Sequence, residues 1–297
     1  MTTSTPKTVL GTVRPGSTHM VGDGFHVRNL FPSNRLGEAI SPFLLFDYAG
    51  PTQYGPRDPE REGPRGVGEH PHRGFETVTI VYQGRVAHRD SAGNAGVIGP
   101  GDVQWMTAAA GIVHEEFHDP EFTRSGGVLQ MVQLWVNLPA KHKLSQPKYQ
   151  AITADAIPRV ELAGGTGLVR VIAGEHAGAR GPASTFTPLD VWDVRLAQGA
   201  QLGFDVPAGR TAAVVVLEGA IAVNGSEPVG DAELALLSRE GTRVALRAAQ
   251  DSTLLFLSGE PLGEPVVQHG PFVMNTGAEI HQAIQDYQQG RMGRLDA

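Results

Sequence analysis

The chain contains no cysteine. Disulfides, thiol nucleophiles and thiolate metal ligands are therefore excluded, and any metal must be held by His, Asp, Glu or backbone oxygen. Basic residues are in deficit: 24 Lys and Arg stand against 31 Asp and Glu, a formal charge of −7. That is the wrong sign for a broad nucleic-acid face, and no direct nucleic-acid binding is expected. No apolar run reaches the length of a membrane span, so no membrane partner is expected. The first residues, Met1-Thr2-Thr3-Ser4-Thr5-Pro6-Lys7, lack the apolar core of a signal peptide, and the expected location is cytoplasmic. Aromatics are also few, at 6 %.

Glycine (38) and proline (21) are plentiful in the 297 residues, and 40 % of the chain is hydrophobic. Many short strands joined by glycine turns give that composition, with enough material for two domains or one large β domain. Val9–Val13, Phe25–Leu30 and an apolar stretch from Pro42 to Phe46 read as strands. Residues 50–68 read as a charged loop, with a rim or lid role suggested for residues 56–66. Phe75–Gln83, turned by Gly84, reads as a buried strand. Val97–Trp105 and Gly127–Asn137 read as further strands, and Leu138–Pro147 as a linker.

A second unit, from about Tyr149 to Glu260, repeats the pattern of the first. Ala212–Gly219 echoes Thr77–Gly84, and Asn224-Gly225 is a hairpin turn. From Ala177 to Gln268 there is no histidine. The tail carries a capping box, Thr276 with Glu279, followed by Ile280, Ala283, Ile284 and Tyr287 on one helical stripe. One amphipathic helix is expected near 277–289, ended by Gly290.

Chemistry concentrates between Gly68 and His118. Four of the eleven histidines sit at the two ends of this stretch, with His88 between them. On a strand, residues i and i+2 share a face, so His70 pairs with His72, and His114 with Glu116. Facing strands would bring three imidazoles and a carboxylate together, a donor set for a first-row divalent metal with open positions. Glu76 shares parity with His70 and His72 and could ligate in place of Glu116. His118 shares parity with His114. Gly74 has the inward parity and would leave room beside the metal. His88 reads as a solvated turn residue. His114-Glu115-Glu116-Phe117-His118 also fits the zinc-protease pattern H-E-x-x-H, which requires a helix. The glycine and β-branched residues before it and Asp119-Pro120 after it disfavour one.

The blocks His70-Pro71-His72-Arg73-Gly74-Phe75-Glu76-Thr77-Val78, Gly101-Asp102-Val103-Gln104-Trp105-Met106-Thr107-Ala108, Gly111-Ile112-Val113-His114-Glu115-Glu116, Leu134-Trp135-Val136-Asn137-Leu138 and Gln268-His269-Gly270-Pro271-Phe272-Val273-Met274-Asn275 resemble the pirins of the cupin superfamily. The resemblance implies an all-β bicupin, two β-barrel (double-stranded β-helix) domains with a C-terminal helix packing on the N-terminal domain. It divides the chain into a metal-binding cupin at 1–140, a ligand-free cupin at 141–265 and a returning tail at 266–297. It implies iron, Fe(II), with other divalent first-row metals as substitutes, held by His70, His72, His114 and Glu116.

Two activities follow from the resemblance. One is a quercetin 2,3-dioxygenase that opens a flavonol with dioxygen and releases carbon monoxide, with Glu116 or Glu76 as the base for the flavonol 3-hydroxyl. The other is a non-enzymatic, redox-responsive regulator acting through a protein partner. Phe43, Phe46, Trp105, Phe272 and Met274 are the candidate walls of an aromatic substrate pocket.

Overall fold

The computed structural model describes residues 4–31 and 36–295. Strands dominate, and two compact units share them. One unit comprises residues 17–29, 43–154 and 263–297. The other comprises residues 1–16, 30–42 and 155–262. The double cupin architecture expected from the resemblance is the architecture observed.

The first of these units is built on a seven-stranded antiparallel sheet. Its order runs Lys148–Ile152, Val103–Thr107, Phe75–Gln83, Gly127–Asn137, Phe43–Tyr54, Phe25–Phe31 and His19–Val21. A four-stranded sheet, ordered Gly66–His72, Ile112–His118, Val86–Asp90 and Ala95–Ile98, packs across it. Phe25, Val27, Ala49, Val81 and Met131 of the large sheet meet Val86 and Ile98 of the small one in one apolar cluster. Each such buried side chain contributes roughly 1.5–3 kcal/mol, which holds the sheets face to face.

The unit that contains the later strands repeats this plan. Its seven-stranded sheet places Thr211–Glu218 third, between Glu233–Leu237 and Ser252–Gly259. Phe75–Gln83 holds the third place in the other sheet, so the echo between Thr77–Gly84 and Ala212–Gly219 is an echo of position. The strand Val9–Val13 closes one edge by pairing with Glu233–Leu237. Asn224 and Gly225 both take positive φ, 49° and 80°, as a hairpin turn of this type requires.

Two sequence readings change. Val97–Trp105 is two strands, because Gly101 (φ 89°) turns the chain between Ile98 and Val103. Residues 50–68 are not all loop: the strand from Phe43 runs on to Tyr54, a capped helical turn occupies Pro59–Glu62, and a strand begins at Gly66. The long strand is sustained by its pairing with Gly127–Leu129, which a local propensity argument does not contain.

The C-terminal helix spans Gly277–Gln288, with the Thr276–Glu279 capping box formed in both directions. Ile280 and Ala283 pack with Val113, Phe272, Met274 and Met292. Arg73, the residue after His72, ties the same helix down: its guanidinium donates to the Ala110 carbonyl at 2.6 Å and to Asp286 at 2.7 Å. Lys143 Nζ donates to the carbonyls of Gly74 and Val273 and to Asn137 Oδ1, at 2.7, 2.9 and 2.5 Å. The tail is therefore fixed to the hairpin that follows the first two histidines. Among the described residues no helix is long and apolar enough to cross a membrane.

Candidate metal centre and adjoining cavity

His70 and His72 stand on the strand Gly66–His72, and His114 and Glu116 on its antiparallel neighbour Ile112–His118. The register sets His114 opposite His70 and Ile112 opposite His72. A bulge follows His114, so that Glu116 lies opposite Val67. The extra residue lies on the Gly66–His72 strand, while Ile112–His118 keeps an unbroken register with Val86–Asp90, so Glu116 keeps the facing of His114 two residues before it.

The three rings of His70, His72 and His114 lie 4.3–4.9 Å apart between centroids. Their donor nitrogens fall within 4.8 Å of one another. A second group, His88, His114 and Glu116, meets the same limit and shares His114 with the first. Glu116 accepts from Gln133 Nε2 at 2.8 Å, and from Thr79 Oγ1 and Gln104 Nε2 at 3.3 Å each. The site thus spans both sheets.

The fit to a metal can be tested on nitrogen lone pairs. His70 Nδ1 bonds the Gly68 carbonyl at 2.8 Å, which leaves Nε2 bare. His72 Nδ1 and His114 Nε2 are buried with no hydrogen-bond partner. An unsatisfied buried polar atom costs about 1–3 kcal/mol, so two at one point call for an occupant. Burial, with the neighbouring imidazoles, holds His72 and His114 well below the usual histidine range, so both rings are neutral and can ligate. The residues fit a divalent ion.

A cavity of about 200 Å3 opens beside the cluster. His70, His72 and Glu116 form one wall, and Val21, Phe25, Val27, Val67, Met131 and Trp135 supply apolar ones. Asp47 and Gln133 add two polar groups. Burial raises the Asp47 carboxyl above its ordinary value, against a 2.6 Å hydrogen bond from Asn29 Nδ2.

Several sequence candidates lie elsewhere. Glu76 is buried, but its Oε1 accepts from Thr107 Oγ1 at 2.7 Å, and it does not line the cavity. The turn at Arg73–Gly74 breaks the parity count: Thr79, three residues on from Glu76, is the residue that meets Glu116. Burial pushes the Glu76 carboxyl up to about 7. Gly74 leaves no space beside a metal, since a Cβ there would stand 1.9 Å from the Val273 carbonyl oxygen. Phe43, Phe46, Trp105, Phe272 and Met274 are core residues outside the cavity.

His118 donates from Nε2 to the Gly24 carbonyl at 2.7 Å, among Phe25, Tyr54 and Phe122. Its segment is a strand, so the helical H-E-x-x-H geometry is not formed. His88 is not a solvated turn residue. It is 4 % exposed, sits opposite Glu116 and approaches His114 Nδ1 at 3.3 Å.

Comparison with known proteins bears on this site. A family model described as pirin matches residues 24–136, and one described as the pirin C-terminal cupin domain matches residues 191–293. A Pseudomonas aeruginosa protein, provisionally named a quercetin 2,3-dioxygenase, is 56 % identical over 288 residues, covering 97 % of this chain and 99 % of its own. Rat (Rattus norvegicus) pirin is 38 % identical over 280 residues, covering 92 % of this chain and 89 % of its own. A crystal structure described as quercetin 2,3-dioxygenase from Acinetobacter baumannii superposes with a TM-score of 0.94 at 52 % identity, covering 98 % of this chain and all of its own.

Proposed function

The chain belongs to the pirin family, and from that premise we propose that it is an Fe(II)-dependent dioxygenase that opens the central ring of a flavonol such as quercetin. The observation that carries the proposal is the pair of buried, partnerless nitrogens on His72 and His114 beside an apolar cavity. The names of the relatives at 56 % and 52 % identity point the same way.

His70, His72, His114 and Glu116 would hold the ion. Three neutral imidazoles and one carboxylate leave a divalent ion with one net positive charge, which suits an anionic enolate. When bound, the ion supplies a Lewis acid for that enolate and a path for electrons to dioxygen. Phe25, Val27, Met131 and Trp135 line the cavity with apolar surface of the kind that takes flat aromatic rings and keeps water out. Glu116 takes the proton of the flavonol 3-hydroxyl, and Gln133 holds the carboxylate that receives it. Asp47 accepts from a phenolic hydroxyl farther along the substrate. Glu76, bonded to Thr107 and absent from the cavity lining, is left out of the reaction. The balance is one flavonol and one dioxygen to one opened ester and one carbon monoxide, with both oxygen atoms retained in the ester.

The test is anaerobic loading with Fe(II), then addition of quercetin and oxygen. Carbon monoxide released in step with quercetin loss is the expected result. Iron-loaded protein that consumes no quercetin would instead support the regulator, which needs the same ligands and no turnover.

A further inference from the structure

His88 is buried beside His114 and has no part in the reaction above. Its own partner is Asp90, whose Oδ2 lies 3.2 Å from His88 Nε2 with both side chains fully enclosed. Asp90 is itself anchored. Its Oδ1 accepts from the backbone N–H groups of Ala92 and Asn94 at 2.9 and 3.0 Å, and the Asn94 amide donates to both of its oxygens. Burial pushes this carboxyl up, but the hydrogen bonds from His88 and Asn94 outweigh it, and the group stays ionised.

An ionised carboxylate only accepts, so His88 must carry its proton on Nε2. In the neutral ring its Nδ1 is bare and accepts, as the Gln104 amide NH2 group beside it requires. Two groups approach it, Gln104 Nε2 and His114 Nδ1, each at 3.3 Å. Gln104 is orientated by Tyr149, whose hydroxyl donates to Oε1 at 3.3 Å and whose ring stacks on His88. Its NH2 group therefore points at His88 and at Glu116. Two bare nitrogens at 3.3 Å would repel, so His114 must carry its proton on Nδ1. The His114 lone pair is then on Nε2, the atom left without a partner.

We propose that the Asp90–His88 pair is a positioning device that sets the tautomer of His114, with Gln104 joining it to Glu116. Three side chains outside the proposed ligand set thereby orientate two of its members. The inference rests on the metal part of the reading above, and not on flavonol cleavage.

Asp90→Asn is the discriminating change. Its Oδ1 stays with the three donors of the turn, because a flipped amide would set an NH2 group against two backbone N–H groups. Its new NH2 group then faces His88 Nε2 and drives the His88 proton to Nδ1. His114 must answer by moving its own proton to Nε2, which removes the lone pair from the cluster. Outer-shell partners of this kind carry about 10–100-fold in metal affinity.

The experiment has two readouts. In metal-free protein with 15N-labelled histidine, long-range imidazole spectra are expected to give His88 as Nε2–H and His114 as Nδ1–H, and both reversed in Asp90→Asn. Co(II) titration followed by visible absorption is expected to show about 10–100-fold weaker binding in the variant. A wild-type His114 protonated on Nε2 would overturn the inference, and this holds even if the variant fails to fold. So would a folded Asp90→Asn protein that binds Co(II) as the wild type does. Wild-type protein that takes up no Co(II) would overturn the metal reading as well.

Discussion

Glu76→Gln is expected to stabilise the metal-free protein, and to do so far more at pH 8 than at pH 5. The cause is burial, which lifts the Glu76 carboxyl from an ordinary 4.5 to about 7. The folded state keeps a proton that the unfolded state has given up. Stability therefore falls as pH rises from about 4.5 to about 7, and is flat above that. At about 1.4 kcal/mol per unit, the ionised form costs on the order of 3 kcal/mol at pH 8, and roughly 1 kcal/mol or less at pH 5. Glutamine removes this cost and keeps the hydrogen bond from Thr107, since its carbonyl oxygen replaces Oε1.

The advantage of the variant should thus widen by roughly 2–3 kcal/mol between the two pH values, or by roughly 5–10 °C in melting temperature. Paired thermal melts of wild type and variant at each pH, with chelator present, measure it, because every other titrating group cancels in the comparison. A gap that does not change with pH would refute the reasoning. Iron loading of the same two proteins decides the second half: Glu76→Gln is expected to keep wild-type metal content and flavonol turnover.

Replacing His72 or His114 by Ala should lower metal content at least about tenfold, by elemental analysis, while His118→Ala should leave it unchanged. Glu116→Gln should weaken metal binding and lower turnover together, the latter by roughly 10²–10⁴-fold if the base is lost. Asp286 gives a test of the tail. Burial pushes its carboxyl up, but hydrogen bonds from Arg291, Gln282 and Arg73 hold it at about 2. A depressed carboxyl stabilises above its ordinary 3.8, and the effect is lost as pH falls toward 2. Asp286→Asn should therefore speed amide exchange in Gly277–Gln288 equally at pH 8 and pH 5.

Much of the scaffold could be read from the chain. Phe75–Gln83 and Gly127–Asn137 announce themselves by β-branched and aromatic residues between glycine turns, and their observed bounds are the expected ones. The helix announces itself through Thr276 and Glu279, a local signal that tertiary packing did not alter. The ligand pattern was also local. His70 with His72, and His114 with Glu116, need only the two-residue period of a strand, and each pair lies within one strand.

What could not be read depends on register and on turns. Parity holds along one strand and is reset wherever the chain reverses. Carrying it across Arg73–Gly74 placed Glu76 with the histidines, whereas the structure pairs it with Thr107. His88 fails in the opposite sense. Its sequence neighbours, Arg89, Asp90 and Ser91, suggest a solvated turn, and only the pairing of Val86–Asp90 with Ile112–His118 sets it opposite Glu116. The same holds for Asp47 and Gln133, which face each other across two paired strands although the residues themselves are more than eighty positions apart in the chain. The proposed ligands are legible because their spacing is short. The groups that orientate them reach the site through hydrogen-bonded neighbours far apart in sequence, and a single chain gives no measure of that distance. The Asp90–His88–His114 chain is one such case: none of its members lies within twenty residues of both histidine-bearing strands, yet its hydrogen bonds run from a turn into the imidazole cluster.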